Sequence, residues 1–436
     1  MKRICIDGYN LSLSRGTGIA TYGRNLLINA RELGYGTEVL YGPAAPRNRS
    51  NVLNEAALVD AERPPRKLSR KEKISRFKGA LTSRFGRVAH SIQPSGEVIW
   101  PSRGGGRPAA DRFWAAPELF AHASRSLQVY GATTPVVFEG SSEVPPPDVM
   151  HWTAPLPVYS KKTANIYTFH DLIPLRLPHT TLDDKSVFMA LCENAIKRAD
   201  HIAVVSETTR QDVMRILNVP EDRVTNTYQS VSLPKSLIER LERDVVMELE
   251  GIFDLGWKEY FLYFGAIEPK KNLGRIIEAY LSSGVKTPLI IIGGRAWLDE
   301  GETALLNQVK RDGGPNADRI RQYEFMSFPM LVSLIRGAKA VLFPSLYEGF
   351  GLPVLEAMRL STAALTSTGG ALPEVAGDAA LIVDPYDVPS ITRGIQALDA
   401  DEALRTELVA KGLLQAARFT PEAYQQRLSE LYAKVL

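Results

Sequence analysis

The run PSLYEGFGLPVLEAM, residues 344–358, combines acidic residues with a glycine-rich loop and a helix start. It follows the apolar segment AVLF. Gly349 and Gly351 permit backbone conformations that other residues avoid, and Pro353 fits the first turn of a helix. Free backbone N–H groups at such a helix start, together with the helix dipole, bind phosphate. The chemistry predicted here is recognition of a phosphate group at the end of a strand.

Two carboxylates accompany this helix start. Glu348 lies in the loop, and Glu356 lies about one turn into the helix, so both are predicted to face one ligand where doubly wound sheets bind nucleotides. Because carboxylates repel a diphosphate, they are assigned to the hydroxyl groups of a ribose and a sugar. The residues between them that are expected to contact the nucleotide sugar are Gly349, Phe350, Gly351 and Leu352.

This run resembles the motif of the family 4 retaining glycosyltransferases, which have the GT-B fold. The segments YFGAIEPKKNLGRIIEAY and LTSTGGALPEVAGDAALIVDP on either side are also similar to the family. The resemblance implies that Lys270 and Lys271 meet the sugar diphosphate, and that Lys271 and Glu348 are catalytic. The downstream stretch that closes the nucleotide pocket in the family covers Ser367, Gly370 and Glu374.

The lysine pair fits the charge of the expected ligand, because a diphosphate without a metal needs cationic partners. From the residues alone, simple surface charge is the alternative. The segment departs from the family at one position, since Gly265 is followed by Ala266 where many members carry arginine. Arg295, in the loop IIGGRAW after the next strand, is the candidate for the missing phosphate contact.

Two segments in the first half of the chain also resemble the family. In SRGTGIATY, Gly16 and Gly18 are expected to let the backbone approach the sugar phosphate, although a plain strand-to-helix turn is the alternative. In FHDLIPLRLP, His170 and Asp171 follow the apolar strand NIYTF, a functional position in a doubly wound sheet or a helix cap. The resemblance implies that His170 faces the transferred sugar and is catalytic, and that Asp171 contributes to binding the nucleotide sugar.

The resemblance further implies a front-face displacement, in which the departing diphosphate helps to deprotonate the acceptor. No metal or other cofactor is expected. The Asp-x-Asp sequence at 399–401 lies between helical patterns, where helix capping is the better explanation. A Walker-type phosphate loop and a GxGxxG fingerprint after the first strand are both absent, which argues against an ATPase and a dehydrogenase.

The elements that must position these residues alternate between apolar strands and helices along the whole chain of 436 residues. This pattern predicts an α/β protein of two doubly wound, Rossmann-like domains facing across a cleft. The domains are expected at 1–235 and 236–415, and a final helix within 416–436 is expected to return to the first domain. The region 43–148, rich in Pro, Gly and Arg, is predicted to be an irregular insertion.

A basic segment at 63–87 contains a single acidic residue, Glu72, and has apolar residues at helical spacing. It predicts an amphipathic helix suited to an anionic membrane surface or a pyrophosphate-bearing lipid. A solvated face or a mobile loop is the alternative, and nucleic acid is not an expected partner. No apolar run approaches the roughly 18 residues of a membrane span, so a cytoplasmic protein is expected, with peripheral attachment to the inner face of the cytoplasmic membrane. The basic residues of the segment 63–87 are Arg63, Arg66, Lys67, Arg70, Lys71, Lys73, Arg76, Lys78, Arg84 and Arg87.

The expected reaction is transfer of a hexose from a nucleotide diphosphate sugar to a glycan or lipid-linked acceptor in bacterial polysaccharide synthesis. The motifs resemble the mannosyl- and rhamnosyltransferase branch of the family most, so GDP-mannose is the first donor expected and dTDP- or UDP-sugars are the alternatives. Other functions left open are an inverting transferase or sugar-phosphate epimerase of the same architecture, and a non-enzymatic membrane adaptor.

Overall fold

The computed structural model describes residues 1–12, 18–60, 78–101, 106–294, 296–297 and 299–436. Two of the predicted site residues, Gly16 and Arg295, lie outside these ranges. So does most of the basic segment, of which only residues 78–87 are described. The described residues form two α/β domains, each built on its own sheet. The two doubly wound domains predicted from the sequence are therefore confirmed.

The sheet of the first domain has the strand order β10-β9-β8-β6-β1-β2-β4-β3-β5-β7. Neighbouring strands are parallel except β3 and β4, so β3, β5 and β7 run opposite to the others. The strands are β1 (Arg3–Asp7), β2 (Gly36–Tyr41), β3 (Arg87–Ile92), β4 (Arg112–Ala115), β5 (Thr134–Glu139), β6 (Val149–Trp152), β7 (Val158–Ser160), β8 (Ala164–Phe169), β9 (His201–Val204) and β10 (Val224–Asn226).

Helices connect these strands. The helices are α1 (Gly18–Glu32), α2 (Asn51–Val59), α3 (Leu119–Tyr130), α4 (Ile173–Arg176), α5 (Lys185–Arg198) and α6 (Glu207–Ile216). Side chains cap several of them. The Asp184 carboxylate accepts a hydrogen bond from the N–H of Val187 at the start of α5, and the Ser206 hydroxyl accepts one from Thr209 at the start of α6.

The prediction of an irregular insertion at 43–148 was wrong for much of that region, which supplies β3, β4, β5, α2 and α3. The strand segments RVAHSI and RFWA are short and carry polar side chains, which obscures the apolar pattern of a buried strand. Trp114 shows how the polar side chains are accommodated, because its Nε1 donates to the buried Glu38 carboxylate at 2.6 Å.

The second domain has six strands in its described residues, all parallel, in the order β13-β12-β11-β14-β15-β16. They are β11 (Phe261–Phe264), β12 (Leu289–Ile292), β13 (Ile320–Tyr323), β14 (Ala340–Phe343), β15 (Ala363–Ser367) and β16 (Leu381–Val383). Helices cover both faces, so β11, β12 and β14 are buried at every position and read as continuous apolar runs.

The helices of the second half of the chain follow in order. They are α7 (Lys235–Ile238), α8 (Glu242–Phe253), α9 (Leu273–Ser283), α10 (Asp299–Asp312), α11 (Pro315–Arg319), α12 (Phe328–Gly337), α13 (Leu352–Arg359), α14 (Leu372–Ala376), α15 (Val388–Ala400), α16 (Glu402–Ala416) and α17 (Pro421–Ala433). None of the helices in the described ranges is long and apolar enough to cross a lipid bilayer.

The last helix, α17, packs against α1 of the first domain. Gln425 donates to the Asn29 side-chain oxygen at 3.0 Å, and the Tyr432 hydroxyl lies 3.0 Å from Nδ1 of His151 in β6. Burial lowers the pKa of His151 to about 3, so this imidazole stays neutral within the core. The chain thus crosses back after the second domain and ties the two domains together.

Candidate active site

The carboxyl ends of the two sheets face each other, and His170 lies on the first-domain wall of the cleft, directly after β8. Its Nε2 donates to the carbonyl oxygen of Thr153 at 2.8 Å, and Tyr22 of α1 packs edge-on against the ring at a centroid distance of 4.8 Å. Burial lowers the pKa of His170, an effect that the Thr153 carbonyl and Asp171 only partly oppose. The imidazole is therefore neutral near pH 7, with Nδ1 as a hydrogen-bond acceptor.

Asp7 at the end of β1 supports this arrangement through the backbone of Thr153, a role that the sequence did not reveal. Its carboxylate accepts hydrogen bonds from the N–H of Thr153 at 2.5 Å and from the N–H of Tyr9 at 3.3 Å. Asp7 is 1% exposed, and burial raises its pKa to about 6 despite these bonds. Asp7 therefore fixes the backbone of Thr153, which in turn orients His170.

The second-domain wall carries the charged cluster predicted from the sequence. The Lys271 ammonium lies 2.5 Å from Oε1 of Glu348, and the Lys270 ammonium lies 4.0 Å from Oε2 of the same carboxylate. Lys270 is also 3.7 Å from Glu268, a buried residue that the sequence analysis did not single out. Both lysines follow β11 in a short turn, whereas Glu348 follows β14, the neighbouring strand.

The pKa shifts in this cluster favour the charged forms of Lys270 and Glu348. Burial alone lowers the pKa of Lys270, but Glu348, Asp171 and Glu268 outweigh it and raise the pKa. Burial alone raises the pKa of Glu348, but Lys271 and Lys270 outweigh it and lower the pKa. Burial raises the pKa of Glu268, which favours its neutral form. Lys270 and Glu348 are therefore held charged at the cleft.

Helix α13 begins directly beside this cluster. Gly351 precedes it with a φ of 107°, a left-handed conformation that favours glycine, and Pro353 occupies its first turn. Pro353 carries no N–H group, and the N–H groups of Val354 and Leu355 donate to the Gly351 carbonyl oxygen at 3.1 and 3.3 Å, so Leu352 supplies the first N–H of the helix at its positive dipole end. The half-buried Glu356 lies on the same helix, and burial raises the pKa of its carboxyl to about 7.

Gly349 brings the two walls together. A Cβ atom added at this position would lie 2.0 Å from the His170 carbonyl oxygen and 3.0 Å from Cβ of Asp171. Only glycine fits this contact between the domains, a requirement that adds to the backbone freedom and the ligand contact predicted for Gly349 from the sequence. The Asp171 carboxylate accepts from the N–H of Ile173 at 3.0 Å, so Asp171 caps the turn that carries this contact.

Further contacts hold the cleft in this closed arrangement. The Glu374 carboxylate accepts hydrogen bonds from the N–H groups of Glu207 at 2.7 Å and Thr208 at 3.2 Å, at the start of α6 in the other domain. The Tyr347 hydroxyl donates to the Asp212 carboxylate. Glu374, which the family resemblance placed at the nucleotide pocket, therefore joins the two domains in this structure.

The structure corrects one predicted contact and clarifies others. The Phe350 side chain is 3% exposed and packs against Tyr228 and Phe419, so only its backbone is available to a ligand. Gly18 begins α1, and an added Cβ would meet no described atom within 4 Å, so packing does not require glycine there. Leu352 is the first residue of α13.

In the Asp-x-Asp sequence one aspartate caps a helix, as expected, and the other forms an ion pair. Asp401 accepts a hydrogen bond from the N–H of Leu404 at 2.9 Å at the start of α16. Asp399 pairs with the Lys339 ammonium at 2.8 Å and also accepts a bond from Thr287. Both carboxylates are therefore occupied by contacts that stabilise the fold.

Comparison with known proteins identifies the family. Residues 254–415 match the family model of the group 1 glycosyl transferases, and residues 97–233 match that of glycosyltransferase family 4. The chain belongs to the family 4 glycosyltransferases. The first match covers β11 to β16, and with them Lys270, Lys271, Glu348 and Glu356, and the second covers His170.

This glycosyltransferase is 33% identical over 262 residues to O-antigen chain mannosyltransferase B of Escherichia coli, which covers 59% of this chain and 67% of that protein. It is 30% identical over 310 residues to the serotype-specific mannosyltransferase WbdA of Escherichia coli, across 69% of this chain. The match spans only 37% of WbdA, so the chain corresponds to about a third of that relative.

The same architecture occurs in solved structures. HepE of Anabaena, in complex with UDP-glucose, superposes with a TM-score of 0.64 over 99% of this glycosyltransferase and 100% of HepE. The two sequences are 13% identical, so the comparison shows the fold alone. With its two α/β domains, one built on a mostly parallel sheet and one on a parallel sheet, facing across a cleft, this glycosyltransferase has the GT-B fold.

Proposed function

We propose that this glycosyltransferase transfers a mannosyl residue from GDP-mannose to a glycan or lipid-linked oligosaccharide acceptor of a bacterial surface polysaccharide, with retention of anomeric configuration. The observation that carries the proposal is the pair of lysines gathered around Glu348 beside the start of α13, opposite His170. The mannosyl residue and the acceptor class follow the relatives, two of which are O-antigen chain mannosyltransferases.

The cluster suits departure of a nucleoside diphosphate. Breaking the bond from sugar to diphosphate develops negative charge on the leaving oxygen, and preorganised positive groups stabilise that charge. Lys270, Lys271 and the positive dipole end of α13 supply them from one wall of the cleft. The neutral His170 on the opposite wall offers Nδ1 as an acceptor for a sugar hydroxyl, which would orient the transferred residue.

The reaction is also proposed to need no divalent metal, since the lysines and the helix start supply the positive charge. The test is a thermal-shift series with GDP, UDP, dTDP and ADP, with and without EDTA. A ligand present at a hundred times its Kd stabilises a folded protein by about 2.7 kcal/mol. GDP is expected to raise Tm most, and by the same amount with and without EDTA. In a separate assay, GDP-mannose is expected to support transfer, and the NMR signal of the product's anomeric proton is expected to show retention. A shift with UDP or dTDP alone would overturn the donor, and a shift that EDTA abolishes would overturn metal independence.

Nucleotide binding is expected to strengthen as pH rises through about 7, because the pKa of Glu356 is raised to about 7 by burial. The ionised carboxylate accepts hydrogen bonds from ribose hydroxyls better than the protonated acid does. Glu356→Gln is expected to weaken GDP binding about tenfold at pH 8 and to flatten this pH dependence. Isothermal titration at pH 6 and pH 8 provides the measurement.

Protein stability should follow the opposite trend with pH in the absence of nucleotide. Since folding raises the pKa of Glu356, this residue contributes fully to the free energy of unfolding below its ordinary pKa of 4.5, and the contribution is lost as pH rises to about 7.

For the binding measurements, Glu278→Gln, on an exposed face of α9, is the matched control. A pH dependence of GDP binding that is the same in wild type and Glu356→Gln would contradict the assignment.

The basic segment at 63–87 is proposed to bind an anionic membrane surface. In its described part, residues 78–83 are helical and Phe85 is 74% exposed beneath Arg84, an arrangement suited to a lipid interface. Replacing Lys71, Lys73 and Arg76 with glutamine is expected to weaken sedimentation with anionic vesicles on the order of a hundredfold. The control replaces the exposed Lys310, Arg311 and Arg393, and equal losses in both variants would leave only a net-charge effect.

A further inference from the structure

A cavity of about 430 Å³ opens in the first domain and shares none of its lining with the active site described above. Its volume is within the range of small-molecule sites. It lies between the segment after β2, the start of α2, and the adjoining strands β3 and β4. The lining residues used below are Pro43, Arg47, Arg49, Asn51, His90 and Pro117.

The cavity lies at the same edge of the sheet as His170. Pro43 follows the carboxyl end of β2, Pro117 follows that of β4, and His90 of β3 pairs with Ala115 at the end of β4. Between β8, which carries His170, and β4 lie β6, β1 and β2. Neighbouring strands are about 4.8 Å apart, so the cavity is roughly 19 Å from His170 along the sheet edge.

An exposed aromatic ring lies between these two points. Tyr9 follows β1, is 40% exposed, and its ring packs against Phe120 of α3 at a centroid distance of 5.3 Å. Its backbone is held by the bond from its N–H to Asp7 and by the Ser12 hydroxyl, which donates to its carbonyl oxygen at 2.8 Å. A fixed aromatic face that is open to solvent is suited to pack against the apolar face of a sugar ring.

The cavity combines a small apolar floor with hydrogen-bonding groups at its mouth. Pro43, Ala115 and Pro117 belong to the less exposed part of the lining, while Arg47, Arg49 and Asn51 are exposed. The mouth is rigid, because Asn54 of α2 accepts from the N–H of Asn48 at 2.7 Å and donates to its carbonyl oxygen at 2.9 Å. Apolar C–H faces and many hydroxyls are the two features of a carbohydrate, and this lining matches both.

We infer that this cavity is a distal subsite for the acceptor glycan, and that Tyr9 supports the glycan between the subsite and His170. All of the cavity's lining belongs to the first domain, whereas the lysines and Glu356 that serve the donor belong to the second. A span of roughly 19 Å exceeds a disaccharide and requires an acceptor of several sugar units. The inference rests on the proposed function and deepens it, because it assigns the enzyme to chain elongation rather than initiation.

The test measures kcat/KM with GDP-mannose and manno-oligosaccharide acceptors of two to six residues. The ratio of kcat/KM for the hexasaccharide to that for the disaccharide is expected to be about tenfold in the wild type. Arg49→Gln and Asn51→Ala are each expected to reduce this ratio about fivefold, the effect of one lost hydrogen bond. Both side chains are exposed, so the variants are expected to fold, and Tm checks this.

Tyr9→Ala provides an independent variant at the midpoint of the path and is expected to reduce the same ratio. Arg125→Gln, exposed on α3 and outside the cavity, is the matched control and is expected to keep the wild-type ratio. A wild-type ratio near one, or an unchanged ratio in Arg49→Gln and Asn51→Ala, would overturn the subsite and leave the proposed function intact. If GDP-mannose gives no transfer to any acceptor length, the proposed function fails and the subsite fails with it.

Discussion

Replacing Lys271 with glutamine is expected to lower kcat/KM for the donor by about 10²- to 10³-fold, the usual effect of removing one group that stabilises a developing negative charge. Lys271 is the lysine in direct contact with Glu348, and its side chain is only 14% exposed. Its ammonium therefore acts in a protected environment, where charge interacts more strongly than in water. Initial rates over a range of GDP-mannose concentrations, with Kd for GDP measured separately, distinguish lost turnover from lost binding.

The same substitution also affects stability, so the experiment needs a variant that separates the two effects. Removing one partner of a buried ion pair leaves the other charge uncompensated and costs about 3–5 kcal/mol. Here Lys270 remains 4.0 Å from Glu348 and offsets part of that cost. The double variant Lys271→Gln with Glu348→Gln removes both charges and is expected to recover most of the free energy of unfolding without recovering activity.

Lys271→Arg is the matched conservative control, because it keeps the charge but changes the shape of the donor group. It is expected to retain folding and to recover part of the lost turnover. If the double variant turned over at the wild-type rate, Lys271 would have only a structural role. The proposed stabilisation of the leaving group would then fail for this residue.

The sequence was most informative where the signal is local. The alternation of strands and helices predicted from the sequence is observed at β1, α1 and β2, because apolar spacing within each short segment determines it. The loop containing Glu348, Gly349 and Gly351 was placed correctly after an apolar strand, since its turn chemistry lies within a few residues. Such features depend on neighbours along the chain, which a single sequence displays directly.

Contacts between distant segments could not be predicted in the same way. Glu374 reaches the start of α6, which is more than 160 positions earlier in the chain, and nothing near Glu374 indicates that partner. The backbone of Thr153 similarly links Asp7 to His170 across three strands. The error at Phe350 has the same origin, because its ring is buried by Tyr228 and Phe419 from elsewhere in the chain. Tertiary packing decided each of these positions.

Gly349→Ala is expected to lower kcat about a hundredfold, because a misplacement of about 1 Å between reacting groups can cost that much. The added Cβ would lie 2.0 Å from the carbonyl oxygen and 2.9 Å from the carbonyl carbon of His170. Both are backbone atoms, which cannot move aside as the end of a flexible side chain can, so the two walls of the cleft would have to separate. His170 would then lie too far from the lysine cluster for both to act on one donor. Stopped-time assays at saturating donor and acceptor give kcat.

Gly301→Ala is the matched control for this substitution, because an added Cβ in helix α10 would meet no described atom within 4 Å. It is expected to leave kcat unchanged and to raise the free energy of unfolding by about 0.5–1 kcal/mol, since alanine is the better helix former. Nucleotide binding in Gly349→Ala is expected to fall less than kcat, because Glu356 and the start of α13 belong to the second domain alone. Wild-type turnover in Gly349→Ala would mean that the close contact with His170 is not present during catalysis. A loss of kcat in that variant alone would show that catalysis depends on the distance between the two walls, and hence that residues of both domains act on the same substrate.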